Sequence, residues 1–189
     1  MTVYGGRLGD TGNLSYLHGM SEAEKLIKTH GRKEASYLIC QSETNDCVVR
    51  AISTAFDVSY IDAHRFCEVK LHRNPRQGVY TNRYLTPITQ AFGKKFKKLG
   101  KKRDHMKILT RPMKHKTTKW SNAKQKMINT RVVKQVQYKV CEFLKEYSEG
   151  SYVVTVKSHA FALVNGVIVG NWNDDRKLNR KVMSAWKVS

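Results

Sequence analysis

Long apolar segments are missing from this sequence of 189 residues. No run approaches the roughly 18 apolar residues that a membrane helix requires, and the opening stretch MTVYGGRLGDTGN lacks the apolar core of a signal peptide. We therefore expect a protein that is neither secreted nor held in a membrane, with the cytoplasm as its location. At 40% hydrophobic and 10% aromatic residues, the composition still supplies a packed core and excludes a disordered chain.

Cysteine is also scarce, and its spacing excludes a further class of protein. The four cysteines are Cys40, Cys47, Cys67 and Cys141. They form no CxxC pair and no cysteine–histidine pattern of the kind that binds structural zinc. The sequence thus predicts no metal and no other cofactor. In a reducing cytoplasm each cysteine is a free thiol, which serves either packing or chemistry.

Acidic residues are few, since 15 Asp and Glu stand against 35 Lys and Arg, for a formal net charge of +20. Such an excess favours association with polyanions such as nucleic acid. The imbalance is greatest over residues 94–126, a basic insertion with fourteen Lys and Arg and one acid, Asp104. The insertion is either a solvated loop or a loop or hairpin that docks on phosphate groups. The residues proposed to bind a polyanion are Lys94, Lys95, Lys97, Lys98, Lys101, Lys102, Arg103, Lys107, Arg111, Lys114, Lys116 and Lys119.

The pattern of apolar residues predicts that helices come first. Residues 1–19 are rich in Gly, Asn, Ser and Thr and form an irregular arm, after which Ser21 caps a short helix that ends near Gly31. Apolar residues at helical spacing then predict further helices over residues 46–56, 59–71, 85–92 and 130–147.

Strands are predicted to follow the helices. They cover residues 152–156, 160–164 and 167–169, with a last edge strand over 182–188. Asn165-Gly166 is typical of a two-residue hairpin turn. This order of elements predicts an α+β domain. We divide the chain into an arm with a short helix, residues 1–36, and one domain, residues 37–189, which carries the basic insertion.

Nucleophilic cysteine chemistry requires a thiolate, a base and donors for an oxyanion, and residues of each type are present. Cys47 lies at the predicted start of a helix, where partial positive charge favours a thiolate. His159 begins a strand and can serve as the base. Gln41 precedes Cys47 by six residues and can turn an amide N–H toward the oxyanion, beside the backbone N–H of Cys47.

A third group must hold the imidazole in the productive tautomer. In a tight hairpin that turns after the second strand, residues whose numbers sum to 331 lie opposite one another. Asn171 then comes close to His159 at the same end of the hairpin. Asn173 and Asp174 remain alternatives, because the register can differ by a residue or two.

The order Gln41, Cys47, His159 and Asn171 resembles that of the papain-like cysteine peptidases. The predicted order of helices before the sheet resembles that superfamily too. The resemblance implies a papain-like fold, with the nucleophile at a helix start packed on a C-terminal antiparallel sheet. It also implies a Cys-His-Asn triad and places Gln41 in the oxyanion hole.

The resemblance covers about residues 37–72 and 130–175, so most of the basic insertion stands outside it. The segment GSYVVTVKSHAFALVNGVIVGNW resembles small papain-like proteins of bacteriophages and their hosts. One family signature, C-G-[SA]-C-[WY], is absent around Cys47.

These features lead to the hypothesis of a cysteine hydrolase, either a peptidase or an isopeptidase. It would act on a protein substrate through a thioester intermediate, and the basic insertion would direct it to an anionic target. The alternative is an inactive papain-like scaffold that binds nucleic acid or a ribonucleoprotein. Acyl transfer to an acceptor other than water also remains open. If the chain is phage-encoded, its expected location is the host cell cytoplasm, and its setting is the processing of a phage or host protein.

Overall fold

The computed structural model describes residues 21–103, 106–170 and 177–189, so the predicted arm over residues 1–19 lies outside the described residues. The first described part of the chain is helical. Its helices are α1 Glu22–His30, α2 Arg32–Ser42, α3 Cys47–Phe56, α4 Tyr60–Leu71 and α5 Thr81–Tyr84, and α6 Val140–Glu146 follows much later. None of the helices in these described ranges is long and apolar enough to cross a membrane.

The strands come mainly after these helices and form one large antiparallel sheet and two separate pairs. They are β1 Gln90–Ala91, β2 Lys94–Lys98, β3 Lys101–Arg103, β4 Met106–Ile108, β5 Thr110–Ser121, β6 Lys126–Gln137, β7 Ser151–Val156, β8 His159–Val164, β9 Val167–Val169 and β10 Ser184–Val188. The sheet has the order β1-β2-β10-β7-β8-β9, while β3 pairs with β4 and β5 with β6. The α+β prediction, with N-terminal helices and a C-terminal antiparallel sheet, is confirmed.

The capping signals at the first helix produce the predicted element. Ser21 accepts a hydrogen bond from the Glu24 backbone, and the Glu24 carboxylate accepts one from the Ser21 backbone, a reciprocal capping box. Gly31 ends α1 at a φ of +77°, a conformation that favours glycine. The next helix, α2, runs without a break through the division that the sequence predicted at residue 36.

The helix that begins at Cys47 packs into the core through one apolar face. Its buried face consists of Val48, Val49, Ala51, Ile52, Ala55 and Phe56. This face packs on β7 and β8, whose inner residues Val153, Ala160 and Ala162 are buried beside it. The helices predicted over residues 46–56 and 59–71 therefore correspond to α3 and α4, because each has an apolar stripe that the sheet or a neighbouring helix covers.

The hairpin of β8 and β9 has the predicted register. Ala162 pairs with Val169, and Val164 pairs with Val167, so the paired numbers sum to 331. Asn165 and Gly166 form the turn with φ of +47° and +81°, as a two-residue turn between twisted strands requires.

One predicted helix, over residues 85–92, is wrong, and another, over residues 130–147, is right only in its second part, where α6 covers Val140–Glu146. Over residues 85–92 the chain forms only the strand β1 before Phe92 and Gly93, whose φ of +51° and +75° turn it into β2. Over residues 130–147 the first part belongs to β6, every residue of which pairs with β5. The valines of this segment fit a helical spacing, but β-branched residues also favour a strand. The segment forms a strand because it pairs with β5 along its whole length.

The predicted edge strand over residues 182–188 lies in the interior of the sheet instead. β10 pairs with β2 on one side and β7 on the other. Trp186 is fully buried there and stacks on Phe96 of β2. The sequence places this strand last in the chain, but sheet order depends on non-local pairing.

Candidate functional site

Cys47 is the first residue of α3 and is half-buried. The preceding Asp46 does not cap the helix, because its carboxylate accepts hydrogen bonds from Arg50 Nε at 2.8 Å and from the Tyr60 hydroxyl at 2.7 Å. The first turn of α3 contains no acidic residue. The partial positive charge of the helix N-terminus therefore acts on Cys47, while Arg50 neutralises the neighbouring carboxylate.

His159 is the first residue of β8 and is half-buried. It pairs with Val156 of β7 across a tight turn, in which Ser158 has a φ of +56°. The turn places His159 at the beginning of β8, and α3 packs on both β7 and β8.

Cys47 and His159 line the same cleft, which has a volume of about 680 Å³. The cleft is bounded by the start of α3, the ends of β7 and β8, and the segment that leads into α5. Its lining residues are Cys47, Val48, Gln77, Gly78, Val79, Tyr80, Thr81, Asn82, Arg83, Thr155, Val156, Ser158, His159, Ala160 and Met183. The structure thus brings the predicted nucleophile and the predicted base to one cavity.

The other predicted site residues are placed differently. Gln41 lies on the last turn of α2, is exposed, and is not among the residues that line the cleft. Asn171 and its alternatives Asn173 and Asp174 lie outside the described residues. Gln41 and the third member of the triad therefore stay predictions.

Gln77 is a lining residue that the sequence analysis missed. Its Oε1 accepts a hydrogen bond from Asn74 Nδ2 at 3.4 Å, which leaves the Nε2 amide protons available as donors. A glutamine in a polar segment between two helices carries no signal of a site, so the sequence alone could not have selected it.

A buried ionic cluster holds the two segments that flank the cleft. Glu43 and Arg73 form an ion pair whose side chains are almost completely buried, and His64 Nε2 lies 3.0 Å from Glu43 Oε1. Glu43 also accepts a hydrogen bond at 3.0 Å from the backbone N–H of Arg76. The segment before Cys47 is thereby joined to the segment before Gln77.

Neutral hydrogen bonds reinforce this junction. Asn45 Nδ2 donates to the Arg76 carbonyl at 3.1 Å, and Thr44 Oγ1 donates to the same oxygen at 3.3 Å. Asn45 has a φ of +54°, which an asparagine tolerates better than most residues. The backbone that leads into Cys47 is therefore held by contacts to one partner segment.

The cluster shifts the pKa values of its members. Burial raises the pKa of Glu43, but hydrogen bonds from Arg73 and His64 outweigh burial and hold the pKa below its ordinary value. Burial likewise opposes ionisation of Glu68, while its contact with His64 brings its pKa below the ordinary value. Burial lowers the pKa of His64, but Glu68 and Glu43 raise it overall.

Because of these pKa shifts, the contribution of the cluster to folding stability depends on pH. Because the pKa values of Glu43 and Glu68 are lower in the folded state, these two carboxylates stabilise the fold at pH values above their unfolded-state pKa of about 4.5. This stabilisation is lost as pH falls through the folded-state pKa values. The contribution of His64 is fully present below its unfolded-state pKa of about 6.5 and is lost as pH rises through the folded-state value.

The remaining cysteines do not line the cleft. Cys67 is completely buried in the core, and burial raises the pKa of its thiol far above the ordinary value. Cys40 Sγ lies 3.6 Å from Arg50 Nη2, and Cys141 is half-buried on α6. Of the four cysteines, Cys47 is the one that lines the cleft with His159.

The predicted basic insertion is not one element. Lys94, Lys95, Lys97 and Lys98 belong to β2 of the large sheet, Lys101, Lys102 and Arg103 to β3, and Lys107 to β4. Arg111 forms an ion pair with Glu142. Lys114, Lys116 and Lys119 are exposed on β5. The strand pair of β5 and β6, which lies outside the large sheet, continues past the predicted end of the insertion at residue 126, because β6 ends at Gln137.

Among the described residues, no group of three or more His, Cys, Asp or Glu side chains is arranged to hold a metal ion. No protein-family model, no curated protein and no solved structure matches the chain.

Proposed function

We propose that this protein is a papain-like cysteine hydrolase that cleaves a peptide or isopeptide bond. The observation that carries the proposal is that Cys47, at the start of α3, and His159, at the start of β8, line one cleft. None of the other three cysteines lines that cleft.

The proposed reaction has two half-reactions. His159 takes the proton of the Cys47 thiol, and the sulfur attacks the substrate carbonyl carbon to form a tetrahedral oxyanion. The carbonyl re-forms as the carbon–nitrogen bond breaks, and His159 gives its proton to the leaving amine. Water, deprotonated by His159, then hydrolyses the thioester and frees the thiol. Asn171 is proposed, from the resemblance, to hold the imidazole in the required tautomer.

The shape of the cleft suggests how a protein substrate is held. Val79, Tyr80 and Met183 offer apolar contacts along it, and Arg83 offers a cation. Tyr80 is 79% exposed, so its ring is available to a substrate side chain at the mouth of the cleft. A peptide segment that carries an apolar and an acidic side chain would be complementary to this lining.

Acylation of Cys47 by a p-nitrophenyl ester tests the hydrolase proposal. We expect mass spectrometry to find the acyl group on Cys47, and we expect His159→Ala to slow its formation about 100-fold or more, as the loss of a general base does. Cys141→Ala is the matched control, because Cys141 is equally half-buried but lies away from the cleft. Acylation spread evenly over Cys40, Cys47 and Cys141 would contradict the proposal.

The oxyanion donor is proposed to be a glutamine amide acting with the backbone N–H of Cys47. Gln41 is favoured by its position six residues before Cys47, whereas Gln77 is favoured because it lines the cleft. We expect either Gln41→Ala or Gln77→Ala, but not both, to slow acylation of Cys47 about 100-fold, which is the usual cost of one oxyanion donor. The two variants serve as controls for each other. Equal rates in both variants and the wild type would remove glutamine from the mechanism.

A second candidate function is binding of an anionic partner, with or without hydrolysis. The observation that favours it is the exposed pair of strands β5 and β6, which contains no acidic residue. In the combined proposal this element brings the hydrolase to its target. In the alternative the scaffold is inactive and binding is its whole function.

A further inference from the structure

The strands β5 and β6 form a two-stranded ribbon of unusual length, which we call the basic ribbon (residues 110–137). All 12 residues of each strand pair, from Thr110 with Gln137 to Ser121 with Lys126. At about 3.3 Å per residue the ribbon is roughly 40 Å long. Neither strand joins the large sheet, and a two-stranded hairpin alone is only marginally stable in water. A bound partner would therefore stabilise this element.

The charge of the basic ribbon defines the chemistry of that partner. The ribbon contains eight Lys and Arg and no Asp or Glu. These cations are Arg111, Lys114, Lys116, Lys119, Lys124, Lys126, Arg131 and Lys134. Except for Arg111, which is half-buried beside Glu142, they are exposed. A polyanion is the complementary ligand.

Cross-strand pairing brings like charges together. Lys116 lies directly opposite Arg131, and Lys114 lies on the same face two residues along β5. Like charges at directly opposed positions destabilise a strand pair. Phosphate groups between these side chains would remove the repulsion, so binding a polyanion would strengthen the pairing of the ribbon.

The tip of the ribbon is apolar and aromatic. Trp120 lies opposite Met127, next to the turn, and the two side chains are 53% and 57% exposed. Both share the face of Lys116 and Arg131. An exposed aromatic side chain beside a row of cations is suited to contact apolar base edges, such as thymine methyl groups, while the cations contact phosphates.

We propose that the basic ribbon binds double-stranded DNA in its major groove. The two strands are about 4.8 Å apart and, with side chains, roughly 10 Å across, and the major groove of B-form DNA, about 12 Å wide, admits such a ribbon. The deep and narrow major groove of A-form RNA does not. A length of roughly 40 Å corresponds to about 12 base pairs at 3.4 Å each. This inference narrows the anionic target of the proposed function but does not depend on thiol chemistry.

The test is fluorescence anisotropy of the full chain with a labelled 20-base-pair DNA duplex. The test variant combines Lys114→Gln, Lys116→Gln and Arg131→Gln. The control variant removes the same charge from exposed lysines elsewhere, by Lys33→Gln, Lys70→Gln and Lys145→Gln. We expect the test variant to lose at least tenfold in affinity at 100 mM salt. A plot of log affinity against log salt should also become less steep, its slope decreasing in magnitude by about 2.7, or 0.9 per lost phosphate contact. We expect the control to change affinity less than threefold.

Three further measurements keep the proposal open to refutation. Trp120→Ala should weaken binding about tenfold, because its exposed ring would lose apolar contact with thymine methyl groups in the groove. A double-stranded RNA of the same sequence should compete at least tenfold more weakly than the DNA. Cys47→Ala should bind DNA as the wild type does, so that failure of hydrolysis and failure of binding are seen separately. Equal losses in the two triple variants, or equal competition by the RNA, would overturn the proposal.

Discussion

Replacing His159 with alanine is expected to remove the rapid alkylation of Cys47 by iodoacetamide near pH 6. The proposed mechanism needs an imidazole to activate the sulfur of Cys47, and His159 lines the same cleft as Cys47 at the start of α3. In the variant Cys47 should behave as an ordinary thiol, whose reactivity rises only as pH approaches about 8.5. At pH 6 the expected difference in rate is roughly 100-fold or more, since an ordinary thiol is then well under 1% ionised. Mass spectrometry of the alkylated protein, sampled over time from pH 5 to pH 9, measures the rate at each cysteine.

Cys141 supplies an internal reference in the same samples, because it is also half-buried but does not line the cleft of Cys47 and His159. Its rate should be the same in both proteins, because His159 does not contact it in the proposed mechanism. A wild-type profile for Cys47 that matches the profile of Cys141 would mean that the scaffold does not activate the thiol. The hydrolase would then have to be abandoned, and DNA binding would stand alone.

Replacing Glu43 with glutamine is expected to lower the free energy of unfolding by about 3–5 kcal/mol, the usual cost of breaking a buried ion pair. The substitution leaves the Arg73 guanidinium buried without a counter-charge, since the Arg73 side chain is completely buried beside Glu43. It also weakens the acceptor for the Arg76 backbone N–H. Urea unfolding at pH 7 measures the effect through the midpoint and the slope of the transition.

Arg65→Ala is the matched control for this prediction. Arg65 lies on α4, as His64 does, but its ion pair with Glu24 is solvent-exposed, so its loss should cost less than about 1 kcal/mol. The pH dependence adds an independent check. The difference between wild type and Glu43→Gln should persist at pH 5 and shrink as pH falls below 4.5, because the folded-state pKa of Glu43 lies below that value. Equal effects of Glu43→Gln and Arg65→Ala would show that burial adds nothing to this ion pair.

The parts of the fold that the sequence predicted correctly are those with local signals. Ser21 and Gly31 define both ends of α1 through capping, and the hairpin turn at Asn165-Gly166 depends on two residues that accept positive φ. The start of α3 at Cys47 follows from the apolar stripe behind it. Each of these signals involves residues that lie close to one another along the chain.

The parts that could not be predicted depend on distant partners. The valines of β6 are compatible with a helix until β5 is present to pair with them. β10 is an interior strand only because β2 pairs with the edge that β7 does not cover. At the site, Gln77 reaches the cleft because Glu43, far from it in sequence, binds the Arg76 backbone. No local pattern encodes such a contact.

The position of β10 has a consequence for synthesis on the ribosome. β2 and β7 are not neighbours in the sheet, and residues 184–188 join them. While the chain is being translated, β1–β2 and β7–β8–β9 are two separate fragments with open edges, because the strand that links them is synthesised after both of them. Open strand edges can pair with other chains, so the nascent protein is exposed to aggregation until this strand emerges. The cleft is also incomplete until then, because Met183 belongs to its wall.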